Sequence, residues 1–162
     1  MKTQEPREEH LWLHRLVGDW RFEIDCSMDK DQPPTKSIGS EIVHSMGGLW
    51  MIGEGISEAP DGTTHTSIMT LGFDPAKNCF IGTFVSSTMT HLWPYTGSLN
   101  SEGNILTFDT EGPNLNNDGA MAKYQDRIEL VDDHHRILTS QMQGLDGQWT
   151  KFMTAHYFRK TN

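Results

Sequence analysis

A change of periodicity at Gly18-Asp19-Trp20 constrains this chain more than any other feature. Before it, Trp12, Leu13, Leu16 and Val17 recur at helical spacing. After it, Trp20, Phe22, Ile24, Cys26 and Met28 alternate with Arg21, Glu23, Asp25 and Ser27. Strict period-two alternation puts the first set on one face of a strand and the charged set on the other. Only one of these faces can be buried, and it must be the one carrying Trp20. Pro6 suits the first turn of the preceding helix, Glu8 and Glu9 suit its positive end, and Gly18 suits its stop. The reading is a helix over about 6–17 that caps one end of a larger body, followed directly by the first strand of a closed antiparallel barrel.

The rest of the chain reads as strands. They are drawn over 19–28, 37–46, 49–58, 64–73, 78–87, 91–99, 104–111, 121–131, 135–144 and 148–159. Turn residues separate them at a spacing that fits an all-β barrel or sandwich rather than βαβ units. Asp61-Gly62 and Asp146-Gly147 favour the positive φ of tight hairpins, and Asp74-Pro75 suits a type I turn. The stretch from Gly112 to Gly119, with Asn114, Asn116 and Asn117, is the longest segment without periodicity and reads as a rim loop. In strand 37–46, Ile38, Ile42, His44 and Met46 are taken as the apolar, inner side. No linker or repeat divides the 162 residues, so a single domain with a barrel over about 19–159 is expected.

Charge and composition exclude several classes of function. A net charge of −9 and the lack of a Lys/Arg cluster argue against a nucleic-acid partner. No apolar run reaches the roughly 20 residues of a membrane span. The first ten residues carry no apolar signal core, so a cytoplasmic protein is expected. Cys26 and Cys79 sit in apolar strand patterns and read as reduced, packed thiols.

Five motifs carry a resemblance. Gly18-Asp19-Trp20, Leu71-Gly72-Phe73-Asp74 with Lys77, Phe80-Ile81-Gly82-Thr83-Phe84, Thr107-Phe108-Asp109-Thr110-Glu111-Gly112-Pro113 and Gln148-Trp149 together resemble bacterial domain-of-unknown-function family 1579. The resemblance runs over nearly the whole chain. It implies a lipocalin-like barrel of the calycin superfamily with about ten strands, close in shape to nitrobindin and the fatty-acid-binding proteins. It implies no activity. It does imply a barrel-closing pair, in which Arg159 from the last strand stacks on Trp20. The likeness to nitrobindin further implies a place for haem, with His156 on the last strand as its axial ligand.

The residues themselves point to one candidate pocket. Period-two spacing puts His91, Trp93 and Tyr95 on one face of a strand, and Thr107, Asp109 and Glu111 on one face of the next. If both faces point inward, they form an amphipathic site for a small, partly apolar ligand. If they point outward, the acids are simply solvated. An inward His91 with Asp109 or Glu111 would also supply acid/base groups for a small-molecule enzyme. Pro94 cannot donate to a ladder, which marks a poorly paired edge and the natural contact for a homodimer. His10 and His14 are one helical turn apart, but no third ligand stands at a diagnostic spacing, so no metal site is expected. No resident cofactor other than haem has any support in the sequence.

Overall fold

The computed structural model describes residues 1–27, 31–116 and 119–161; Met28 of the first strand and Asn117 of the rim loop lie outside them. Among the described residues one helix, α1 (Glu8–His14), precedes ten strands. These are β1 (Gly18–Cys26), β2 (Thr35–Met46), β3 (Trp50–Glu58), β4 (Thr64–Asp74) and β5 (Cys79–Ser86), then β6 (Trp93–Leu99), β7 (Ile105–Pro113), β8 (Met121–Asp132), β9 (His135–Gln143) and β10 (Trp149–Arg159). Every neighbouring pair is antiparallel, and β1 joins both β2 and β10, so the sheet closes on itself. Closure removes the free edges that a ten-stranded open sheet would expose. The alternation that begins at Trp20 is kept: Trp20 and Phe22 are buried, while Arg21 and Glu23 are exposed.

The helix is shorter than the 6–17 expected, and the chain leaves it through hydrogen-bonded turns from Leu16 N–H to Leu13 O and from Val17 N–H to His14 O. Trp12, Leu13 and Leu16 enter the core. His10 meets Phe73 edge-on and Trp12 meets Phe80, while the Trp12 indole donates 2.7 Å to Gly103 O in the β6–β7 turn. Because the strands alternate in direction, the β2–β3, β4–β5, β6–β7 and β8–β9 turns share the helix end. The β5–β6 and β7–β8 connections lie at the opposite end.

Arg159 lies over the Trp20 indole at 4.3 Å to the ring centroid. Its guanidinium also donates to Val17 O, Arg15 O and Asp133 O, which ties the last strand to the turn after the helix and to the β8–β9 turn. Gly18 leaves room for this arm: at φ +138°, a Cβ there would stand 2.3 Å from an Arg159 nitrogen. A second arginine joins this cluster. Arg136 from β9 is buried, lies over Trp20 and Tyr157 at 4.7 and 3.9 Å, and is ion-paired with buried Glu41 of β2.

That pair explains a correction in β2. Glu41 and Val43 face inward, so Ile38, Ile42 and Met46 are exposed rather than internal, and His44 is exposed with them. Arg136, which could not be placed from the sequence, makes an inward carboxylate stable there.

Candidate functional site

At the end away from the helix, the barrel interior is not filled. A cavity of about 190 Å³ is lined by residues of β4 through β10. Its walls are aromatic and thioether: Phe84, Trp93, Tyr95, Tyr124 and Phe152, with Met69, Met89 and Met153. A bulge in β10 between Lys151 and Met153 breaks strict alternation, so that adjacent Phe152 and Met153 both reach the cavity. Trp93 meets Tyr124 edge-on at 4.9 Å, and Tyr124 meets Phe152 at 6.0 Å. Two loop residues, Met89 and Leu115, complete the lining, and the Tyr124 hydroxyl anchors the second loop by donating 2.5 Å to Pro113 O and accepting from Leu115 N–H.

One carboxylate faces into this space. Asp126 shares the inward parity of Tyr124, Ile128 and Leu130 on β8. The Tyr95 hydroxyl donates to its Oδ2 at 2.5 Å and the Ser140 hydroxyl to its Oδ1 at 2.6 Å. Burial pushes the Asp126 carboxyl above the ordinary carboxylate value, and the two hydroxyl hydrogen bonds pull against that shift. Burial, with the Asp126 charge beside it, holds the Tyr95 phenol well above its ordinary value. Among the described residues no cationic side chain pairs with Asp126, because the buried arginine, Arg136, is committed to Glu41. Thr110 Oγ1 lines the same cavity, buried and without a hydrogen-bond partner.

Of the residues read as a pocket from sequence, Trp93 and Tyr95 line the cavity and the others do not. On β7 the inward set is Leu106, Phe108 and Thr110; Asp109 and Glu111 are exposed. The Asp109 carboxylate accepts from the Gln125 side-chain amide on the outer surface. His91 stands before β6, at its rim, with its ring edge-on to Trp93 at 4.7 Å and Nε2 2.9 Å from the backbone carbonyl of Glu111. The structure therefore does not bring His91 together with either carboxylate, and the acid/base pairing is corrected. The sequence did hold the missing signal: Leu106 and Phe108 mark the opposite face of β7 as the core face, and Asp126 falls in step with Tyr124 and Ile128.

The haem reading is also corrected at its ligand. Ala155 and Tyr157 are the buried face of β10, so His156 points outward. There it stacks with His135 and Phe158, and His135 Nε2 lies 3.0 Å from His156 Nδ1. Among the described residues no histidine lines the cavity, so its lining does not fit a haem iron. His10 and His14 also part company: His10 is buried and accepts from Arg7 N–H, and His14 is exposed.

The barrel wall is weakest beside the cavity. β6 and β7 pair only from Thr96↔Asp109 to Leu99↔Leu106, so Trp93–Tyr95 and Thr110–Pro113 lack ladder bonds to each other. Pro94 pairs with Thr83 on the β5 side and has no partner on the β7 side. Side chains close the gap instead. The Trp93 ring packs against Gly112, where a Cβ would come within 2.1 Å of it, and His91 bridges to Glu111 O. Outside the gap runs a groove lined by Pro94, Thr96 and Glu111, and it shares Thr110 and Tyr124 with the cavity inside.

A family model matches residues 5–159 of the chain. The chain belongs to the family of proteins of unknown function DUF1579. Comparison with curated proteins gives no match. Among solved structures the chain is similar to Rv2717c from M. tuberculosis, at 14% identity and a TM-score of 0.64, covering 97% of this chain and 100% of that one. It is also similar to the S-type phycobiliprotein lyase CPES from Guillardia theta, at 12% identity and a TM-score of 0.59, covering 96% and 93%. A third likeness is to EF1p2_mFAP2b bound to DFHBI, at 14% identity and a TM-score of 0.50, covering 93% and 98%. At these identities the likeness is one of fold.

Proposed function

We propose that this protein binds a small, partly apolar molecule in the cavity at the open end of its barrel. The carrying observation is the cavity itself, about 190 Å³ of ring and thioether wall with the Asp126 carboxylate and the unpartnered Thr110 hydroxyl in its lining. An apolar space with a few convergent polar groups is the ordinary form of a small-molecule site. A buried hydroxyl that no protein group satisfies, facing an unfilled volume, can pair with a molecule that enters it. One neighbour of similar fold is bound to DFHBI and another is a phycobiliprotein lyase, which is support by analogy of fold. Two free cysteines fit residence in a reducing compartment such as the cytoplasm.

Methionine methyl resonances test the reading directly. Met69, Met89 and Met153 line the cavity, whereas Met46 and Met121 are exposed elsewhere. Titration with single-ring compounds is expected to shift the first three and leave the last two in place. A panel that leaves the cavity methionines unmoved would overturn the proposal.

A further inference from the structure

Resting on that reading, we infer that the ligand is a small organic amine whose ammonium group sits against Asp126 while its apolar part fills the aromatic cavity. Asp126 has hydrogen-bonding capacity that its neighbours leave unfilled. An ionised carboxylate has about four acceptor positions. Two are filled, by the hydroxyls of Tyr95 and Ser140, and both donors are neutral. The remaining capacity faces a cavity, and the charge has no ion-pair partner among the described residues. A buried charge left in this state is costly, and a cation supplied from outside would relieve that cost.

The walls point to the same chemistry. Phe84, Trp93, Tyr95, Tyr124 and Phe152 surround the space, and π-faces attract a cation electrostatically as well as by packing. An anionic ligand would meet the Asp126 charge with no arginine or lysine among the described lining residues to offset it. A neutral alcohol could donate one hydrogen bond but would leave the charge unbalanced. An ammonium group brings three donors and the missing charge together, and Thr110 Oγ1 lies in the same lining as an acceptor for one of them. The protein's net charge of −9 also draws cations toward it.

Three probes of nearly equal shape separate the outcomes: 2-phenylethylamine, 2-phenylethanol and propylbenzene, each titrated against the whole protein with the methionine methyl signals as readout. The expected order is amine first, by about tenfold or more over the alcohol, as suits a charge-assisted hydrogen bond in place of a neutral one. Asp126→Asn is expected to bring the amine-to-alcohol ratio close to one. If the wild-type protein binds the alcohol or propylbenzene as tightly as the amine, the amine inference falls while the cavity reading stands. If a folded Asp126→Asn protein keeps the amine preference, Asp126 is not its source and the inference also falls. If none of the three moves the cavity methionines, both readings fall. The comparison within wild-type protein decides the matter even if the variant does not fold.

Discussion

Asp126 is the residue at which folding and binding pull in opposite directions. Burial raises its carboxyl pKa above the ordinary value of 3.8, so between that value and the raised one the folded state holds a proton that the unfolded state has released. The stability contributed by the protonated form is fully present below the ordinary value. It is lost as pH rises through the raised folded value. Asp126→Asn, which cannot ionise, lacks this loss. Urea denaturation across pH is therefore expected to show the variant gaining on the wild type as pH rises from about 3.8, and a constant difference would refute the assignment. Gly112 makes a second residue-scale point. Its missing side chain is where the Trp93 ring lies, and a Cβ would stand 2.1 Å from that ring. Gly112→Ala must therefore push Trp93 off the β6–β7 gap, at a cost of about 1–3 kcal/mol for overpacking. A lowered melting temperature with altered tryptophan fluorescence would show it.

Among the elements, the helix and the last strand depend on one another through Arg159. The carbonyls of Arg15 and Val17 follow the helix, and both accept from Arg159. Arg159 satisfies both with one planar group and still reaches Asp133 O. A lysine has the charge but not the fork. Arg159→Lys is expected to cost about 1–3 kcal/mol in urea denaturation, from lost and imperfect hydrogen bonds rather than lost charge. A variant as stable as the wild type would reduce the arm to a surface contact. β6 shows the opposite arrangement. Half its length is tied to β7 by side chains rather than by a ladder, because Pro94 lacks a backbone donor and Gly112 admits a ring in place of a strand contact.

At the scale of the whole molecule, the barrel interior has two levels. Near the helix, the Arg136–Glu41 pair spans from β9 to β2 under Trp20 and Tyr157. Toward the open end, Asp126 faces unfilled space. The two levels have different consequences when charge is removed. Arg136→Met alone leaves Glu41 buried without a partner and is expected to cost about 3–5 kcal/mol. Adding Glu41→Leu removes the orphan charge and is expected to recover most of that loss, as a double-mutant cycle in urea would measure. Additive losses would mean that the two groups do not act as a pair.

Much of this architecture was legible in the chain. Trp20–Cys26 declared its inner face because the alternate residues are charged, and the turn residues marked ten strands close to where they lie. The family resemblance, carried by short motifs spread from Gly18 to Trp149, holds across residues 5–159. What local pattern could not decide was the facing of strands whose two sets are both mixed. Apolar Ile38, Ile42 and Met46 turned outward because Glu41 finds Arg136 across the barrel, 95 residues away in sequence. Asp109 and Glu111 turned outward for the complementary reason, since Leu106 and Phe108 take the core side of β7. Alternation divides a strand into two faces. Which face is buried depends on partners that only the closed barrel brings into contact, and those partners set Asp126, rather than His91, in the cavity.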